Sequence, residues 1–145
     1  MPIKPENLKR YPADWKAISL AAKERAGWGC QHPGCGAKQY DVGWWRVADS
    51  GARWVRIHGP MPTYAEARQR AAEEHFSRFG DEPGDYKILV IVLTVAHLNH
   101  NPADCRPDNL AAMCQRHHLA YDHDHHRANA QATRRARAGT LELFP

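Results

Sequence analysis

The chain has 145 residues, a net charge of +4 at neutral pH and ten histidines. This length suits one domain of ordinary size with short arms, so a second independently folding domain is not expected. No apolar run reaches the roughly 18 to 20 residues of a membrane span, and the N-terminus lacks the apolar core of a signal peptide, which predicts a soluble cytoplasmic protein.

The first predicted element is a helix that starts after Asp14, a plausible N-cap, and ends at Gly27 and Gly29. It leads directly to Cys30. In the next stretch, "CQHPGCGAKQ", a proline and two glycines predict a tight turn that brings Cys30 and Cys35 together.

Residues 40–57 are predicted to form a β-hairpin. Aromatic and β-branched residues flank the turn sequence Asp49-Ser50-Gly51. On a strand, the adjacent Trp44 and Trp45 must point to opposite faces. Packing on the core is the simpler role for these rings and for Trp54, and stacking on unpaired bases is the alternative.

The second half of the chain is predicted to hold a helix, a strand and a longer helix. Thr63 and Glu66 have capping-box spacing at the start of a helix over residues 63–79. The run "YKILVIVLTVAHL" predicts one largely buried strand. After a loop, a helical pattern resumes at Asn109 and continues through the histidines into a tail with four arginines, which is either a solvated helix or a phosphate-binding arm.

Histidine is concentrated in one segment of the chain, residues 97–126, which also holds two of the four cysteines. The seven histidines are His97, His100, His117, His118, His123, His125 and His126. A protein core rarely clusters imidazoles, because each buried ring needs hydrogen-bond partners, whereas metal sites do. In a reducing compartment the cysteines also favour metal binding over disulfides.

Four of these residues form two chelating pairs, Cys30 with Cys35 and Cys114 with His117. Two pairs of nitrogen and sulfur ligands are what a closed tetrahedral zinc site requires. If Cys114 and His117 lie on one helix, their spacing of three residues puts them on the same face. The alternative is that the two cysteine positions are unrelated.

Two further residues near these pairs, Cys105 and His32, are of a type that can bind zinc. Cys105 lies in the loop and is predicted to be an ordinary thiol. His32 lies inside the turn between the first two cysteines, where exposure to solvent is favoured over metal binding.

The stretch "AHLNHNPADCRPDNLAAMCQRHH", together with the upstream cysteine pair, resembles the HNH endonuclease family, the ββα-metal or His-Me finger nucleases. The resemblance covers roughly residues 26–37 and 90–126. It implies an α+β fold with a small zinc-stabilised ββα-metal core, an inserted hairpin and helix, and a helical C-terminal arm. It also implies a metal-dependent DNA endonuclease of phage or mobile-element type, in a bacterial or phage-infected cell.

The resemblance also divides the chain, which is expected to be one HNH-type domain over residues 1–145. The expected parts are an N-terminal helical arm (1–29), an insertion (38–89), the ββα-metal core (90–126) and a basic C-terminal tail (127–145).

Carried over by position, the resemblance makes His97 the general base that activates water for attack on a phosphodiester. Asn109 would orient the loop and hold the His97 imidazole by a hydrogen bond. His118 would bind a catalytic divalent ion, Mg²⁺, Mn²⁺ or Ni²⁺. His117 would take the place of the usual second cysteine of the structural zinc site.

The chain departs from the family pattern at Ala96, where a metal-binding Asp or His is common. Alanine cannot bind an ion, so the ligand comes from elsewhere or the activity is lost. If the helix continues, Asp122 lies one turn past His118. The possible substitute ligands are Asn99, His100, Asp122, His125 and His126.

Three functional interpretations follow. The first is the endonuclease, with DNA as partner and no small-molecule cofactor beyond metals. The second is a catalytically inactive, zinc-stabilised DNA-binding or interaction module, which Ala96 favours. The third is a metal-storage or redox protein that uses the histidines.

Overall fold

The computed structural model describes residues 5–142, which fold into three α-helices, five β-strands and two short 3-10 helices. Residues 1–4 and 143–145, the ends of the predicted arm and tail, lie outside the described residues. The helices are α1 (Trp15–Arg25), α2 (Tyr64–Phe79) and α3 (Gln115–Glu142), and the 3-10 helices span Pro5–Arg10 and Pro107–Asn109. The strands are β1 (Val42–Ala48), β2 (Gly51–His58), β3 (Leu89–Val90), β4 (Leu93–His97) and β5 (Leu110–Cys114).

The hairpin predicted around residues 49–51 is confirmed as β1 and β2, which pair in antiparallel register with Trp45 opposite Trp54. Strand β3 adds to the other edge of β1. The two adjacent tryptophans face opposite sides, as expected. Trp44 stacks on Tyr86 with 4.2 Å between ring centroids, and Trp45 packs against the buried Trp54 at 5.2 Å. These rings therefore pack within the protein.

Helix α2 begins as the sequence predicts, with the Glu66 backbone N–H donating to Thr63 Oγ1 at 3.2 Å. Its buried residues Ala67 and Ala71 pack against Val42 of β1 and Val90 of β3. This small apolar interface fixes the helix on the three-stranded sheet.

The prediction of a single strand for the run "YKILVIVLTVAHL" is wrong. Within this run the chain passes from one sheet to the other. Strand β3 pairs with β1, whereas β4 pairs with β5. At the crossing, Ile91 exchanges backbone hydrogen bonds with Tyr40 and Asp41. Ile91 and Leu93 are both 1% exposed, so the continuous apolar pattern reflected burial and not a straight strand.

The helix predicted to resume at Asn109 is also wrong, since residues 110–114 form β5 and α3 starts only at Gln115. All five residues of β5 are buried, and each pairs with β4. The sequence "LAAMC" has helix-forming residues, but pairing and burial outweigh that weak preference. Cys114 is consequently the last residue of a strand.

The predicted first helix is confirmed as α1, although the Asp14 side chain makes no capping hydrogen bond. Gly27 follows the helix with φ of +63°, a conformation that glycine adopts without strain. The buried Ala22 of α1 packs against Val95 of β4 and Leu110 of β5. The second sheet is thereby covered on one face.

Helix α3 leaves the body of the protein after its first two turns. Every residue from 123 to 139 is exposed. Within the described part of the chain, each helix is too polar or too short to span a bilayer.

Candidate metal centres and active site

One cluster of cysteine and histidine side chains can hold a metal ion. The ligand atoms of Cys30, Cys35, Cys114 and His117 all lie within 4.8 Å of one another. His117 Nδ1 is 3.2 Å from Cys114 Sγ and 3.6 Å from Cys30 Sγ. A tetrahedral zinc ion with usual bond lengths separates sulfur and nitrogen ligands by about 3.6 Å, so the cluster fits zinc without large movement.

The cluster joins two distant parts of the chain, residues 30–35 and residues 114–117. Cys30 is held by a backbone hydrogen bond to Ala37, and the neighbouring Gln31 exchanges two hydrogen bonds of 2.8 Å with Ala112 of β5. Cys114 ends β5, and His117 lies in the first turn of α3. Cys114 and His117 therefore lie at the end of a strand and at the start of a helix, and not on one helix as their spacing predicted.

The ring of His117 is fixed by its neighbours. His32 stacks on it with 3.8 Å between centroids, and Trp45 meets it edge-on at 5.6 Å. His32 is exposed, as predicted, and orients the His117 ring by stacking. Hydrogen bonds from Cys114 and Cys35 lower the pKa of the Cys30 thiol, which favours a thiolate in the cluster.

His97, the predicted general base, ends β4 and is only 8% exposed. Trp15 of α1 stacks on its ring with 4.8 Å between centroids, and Tyr11 meets the ring edge-on at 5.7 Å. Burial lowers the pKa of His97 below its ordinary value of 6.5. The ring is therefore neutral at pH 7, the state in which an imidazole accepts a proton.

The contacts of Cys105 are the basis for assigning the ring hydrogen of His97 to one nitrogen. The Cys105 thiol donates to the Pro102 carbonyl at 3.3 Å, and its sulfur lies 3.6 Å from His97 Nε2. Because the thiol hydrogen is directed to Pro102, the network assigns the imidazole hydrogen to Nε2, pointing at the sulfur. His97 Nδ1 is then the basic nitrogen.

Asn109 fixes the loop between β4 and β5. Its side-chain oxygen accepts from the Asn99 backbone N–H at 3.0 Å, and its amide donates to Asn99 Oδ1 at 2.9 Å and to the Asp104 carbonyl at 2.7 Å. The amide hydrogens are directed to the loop instead of to the His97 ring, in contrast to the hydrogen bond that we expected.

His118 lies on the first turn of α3 and contacts both a strand and its own helix. Its Nδ1 is 2.5 Å from Thr94 Oγ1 of β4, and its Nε2 is 3.0 Å from Asp122 Oδ2. Burial lowers the pKa of His118. The predicted spacing of one helical turn therefore does bring Asp122 to His118.

Two further histidines from the predicted set of ion ligands lie close to the Asp122 carboxylate. His100 Nδ1 lies 3.2 Å from Asp122 Oδ1, and His126 Nε2 lies 4.0 Å from Asp122 Oδ2. His125 stacks on His100 with 4.2 Å between centroids. Asn99 contacts Asp104 and Asn109 within the loop. The carboxylate of Asp122 is thus the centre of this histidine cluster.

Sequence reasoning missed four contacts at this site. Trp15 and Tyr11 cover His97, Thr94 contacts His118, and Cys105 lies beside His97. The strand period would have placed Thr94 and Ala96 on one face, away from His97. The sequence carries no signal for the packing of α1 on His97, because that contact joins residues more than 80 positions apart.

Replacing Trp15 with alanine should raise the pKa of His97 toward its ordinary value, because the ring loses the aromatic cover that excludes water. An NMR titration of the His97 ring protons measures this shift. Leu20→Ala, which removes an exposed side chain from the same helix, should leave the titration unchanged. A His97 pKa that stays fixed in Trp15→Ala would show that stacking does not control it.

One comparison with known proteins matches the segment that carries His97, Asn109, Cys114, His117 and His118. Residues 71–120 match the family model described as HNH endonuclease, and the match supports that family. Searches of curated proteins and of solved structures gave no significant match.

Proposed function

From the HNH endonuclease match over residues 71–120, we propose that this chain is a metal-dependent DNA endonuclease that hydrolyses phosphodiester bonds. The observation that carries the proposal is the state of His97. This residue lies at the end of a strand in the matched segment, is held neutral by burial and has Nδ1 as its basic nitrogen. His118 and Asp122 are close enough for their charges to act on its pKa.

The order β4, β5 and α3 supports the ββα-metal core, since an antiparallel strand pair is followed at once by a helix. We propose a single domain over residues 1–145 in which 90–126 form the core. The segments 1–29, 38–89 and 127–145 would be the N-terminal arm, the insertion and the basic tail.

In the proposed reaction, His97 Nδ1 accepts a proton from the attacking water. Asn109 holds the loop after β4 by hydrogen bonds to Asn99 and Asp104, and would thereby position the strand end that carries His97. His118 would hold the divalent cation, Mg²⁺, Mn²⁺ or Ni²⁺. When bound, such an ion stabilises negative charge on the phosphate and on the leaving oxygen.

The cluster of Cys30, Cys35, Cys114 and His117 would hold a structural zinc ion. Its role is to fix the start of α3 relative to β5 and to the turn after α1. Since His118 directly follows the zinc ligand His117, an ion held by the cluster would also fix the position of His118.

The exposed part of α3 supports DNA as the partner. Between Asp124 and Glu142 it carries arginines and no acidic residue. The arginines are Arg127, Arg134, Arg135 and Arg137, and all four are exposed. Such a helix suits sequence-independent contacts with phosphates.

The test is an assay of supercoiled plasmid with the zinc-loaded chain and Mg²⁺, Mn²⁺ or Ni²⁺. We expect conversion to nicked or linear DNA that depends on the added ion and stops with a chelator. If the chain shifts DNA in a gel but leaves the plasmid intact with all three ions, the endonuclease proposal is wrong.

A second candidate function is a zinc-stabilised DNA-binding or interaction module without hydrolysis. Two observations favour it. Ala96 cannot bind an ion, and His97 is largely covered by Trp15 and Tyr11. This candidate predicts DNA binding, one tightly held zinc and an intact plasmid in the same assay.

A further inference from the structure

Position 96 cannot contribute to ion binding in this chain. Ala96 is 1% exposed and packs against Ala111 and Met113. Any further ligand of an ion beside His118 must therefore come from a residue other than Ala96. Asp122 presents a carboxylate 3.0 Å from His118 Nε2, one turn further along the same helix.

The contacts of Thr94 are the basis for assigning the ring hydrogen of His118 to one nitrogen. The Thr94 hydroxyl donates to the Met113 carbonyl at 3.4 Å, which leaves its oxygen to accept a hydrogen bond. His118 Nδ1 lies 2.5 Å from that oxygen, and because the hydroxyl hydrogen is directed to Met113 we assign Nδ1–H as the donor. The ring hydrogen of neutral His118 is thereby placed on Nδ1, and the lone pair of Nε2 points at Asp122.

Two electron-pair acceptors then face each other, the imidazole Nε2 of His118 and a carboxylate oxygen of Asp122. Such a pair repels unless a cation or a proton lies between the two atoms. An octahedral divalent ion with bonds of about 2.1 Å separates adjacent ligands by about 3.0 Å. The 3.0 Å between Nε2 and Oδ2 fits this separation as well as that of a shared proton, so the pair can accept one ion without moving apart.

We propose that Asp122 Oδ2 and His118 Nε2 together bind the divalent cation, and that Asp122 supplies the anionic ligand that Ala96 lacks. The proposal deepens the endonuclease function and rests on it for the role of the ion. The i, i+4 spacing lets one helix present both ligands. Water and substrate phosphate oxygens complete the coordination, as is usual for Mg²⁺ and Mn²⁺ sites.

The other candidate ligands do not bind the ion in this proposal. His100 Nδ1 contacts the second carboxylate oxygen, Oδ1, and orients the carboxylate from the loop side. His125 stacks on His100 and holds that ring. His126 is 62% exposed and 4.0 Å from the carboxylate, so it contributes little order to the site. Asn99 is engaged within the loop by Asp104 and Asn109.

The experiment is a titration of the zinc-loaded chain with Mn²⁺ alone, without DNA, followed by electron paramagnetic resonance of free Mn²⁺. The wild type should bind one Mn²⁺ per chain in addition to its zinc. Asp122→Asn and His118→Gln should each weaken Mn²⁺ binding at least tenfold, since each removes a ligand. Zinc content and the circular dichroism spectrum should stay unchanged in both variants.

Asp124→Asn is the matched control, because Asp124 lies on the same helix with its side chain 98% exposed. Its Mn²⁺ affinity should equal that of the wild type. The proposal is overturned if Asp122→Asn binds Mn²⁺ as the wild type does. It is equally overturned if the wild type binds no Mn²⁺ at millimolar concentration, since a shared proton would then occupy the pair.

A parallel plasmid assay separates this proposal from the endonuclease function. If ion-dependent cleavage persists in Asp122→Asn, the Asp122 proposal is contradicted and the endonuclease proposal stands. Mn²⁺ binding that depends on Asp122, in a chain that never cleaves DNA, would support the ion site and contradict the endonuclease.

Discussion

Cys114→Ser should release the zinc ion and unfold most of the protein under conditions where the wild type is folded. Cys114 is fully buried at the end of β5, and its sulfur is one of four converging ligands. Loss of a structural metal is one of the few single changes that lower the free energy of unfolding by about 4 to 5 kcal/mol or more. The whole free energy of unfolding of a protein is about 5 to 15 kcal/mol.

Elemental analysis and thermal unfolding measure the two parts of this prediction. The wild type should carry one tightly held zinc per chain, and Cys114→Ser should carry far less and melt at a lower temperature. Cys105→Ser is the control, because the same change is made at a cysteine outside the cluster. A Cys114→Ser protein that is well folded and free of metal would refute the proposed ligand set.

The second large effect is expected for His97→Ala, which should reduce DNA cleavage about 10² to 10⁴ fold, the usual contribution of a positioned general base. Zinc content and DNA binding should remain, because His97 is not among the zinc ligands and is too buried to supply a phosphate contact of its own. The measurement is the initial rate of plasmid nicking, alongside a gel-shift titration.

His123→Ala is the control for this change. It removes an imidazole whose side chain is 68% exposed on α3, and it should cleave like the wild type. Equal nicking by His97→Ala and the wild type would exclude His97 as the base. A variant that also loses DNA binding would point to a structural role, since Trp15 stacks on this ring.

The pH dependence of cleavage should also show that neutral His97 is the base. The neutral form of His97 is the base, so the rate falls as the pH falls through its pKa. Because burial lowers that pKa, the midpoint of the decline should lie at a lower pH than for an ordinary, solvent-exposed histidine. Trp15→Ala should move the decline to higher pH, in step with its NMR titration.

Local patterns in the sequence predicted several elements correctly. The hairpin follows from a turn sequence between β-branched and aromatic runs, and α2 follows from the Thr63 cap and its apolar spacing. The resemblance to HNH endonucleases agrees with the family match. The mixed helix and sheet content agrees with the structure. These features depend on neighbouring residues, which is why they were visible in the sequence.

Two errors arose where long-range pairing determined the backbone. The run from 86 to 98 has the apolar content of one strand, but its two halves find different partners, β1 and β5. Residues 110–114 have helix-forming side chains, yet β4 offers a complete set of backbone hydrogen bonds and burial. Sequence periodicity does not specify which partner a strand will find.

The residue types of the sequence by themselves determined the chemistry available to this protein, because thiolates and imidazoles in chelating pairs predict metal binding wherever they converge. They also showed that position 96 cannot hold an ion. Only the tertiary structure decided how these groups are used. It placed Trp15 over His97 and brought Thr94 and Asp122 to the two ring nitrogens of His118. Those contacts join separate elements, and their distances are set by packing, which no local pattern encodes.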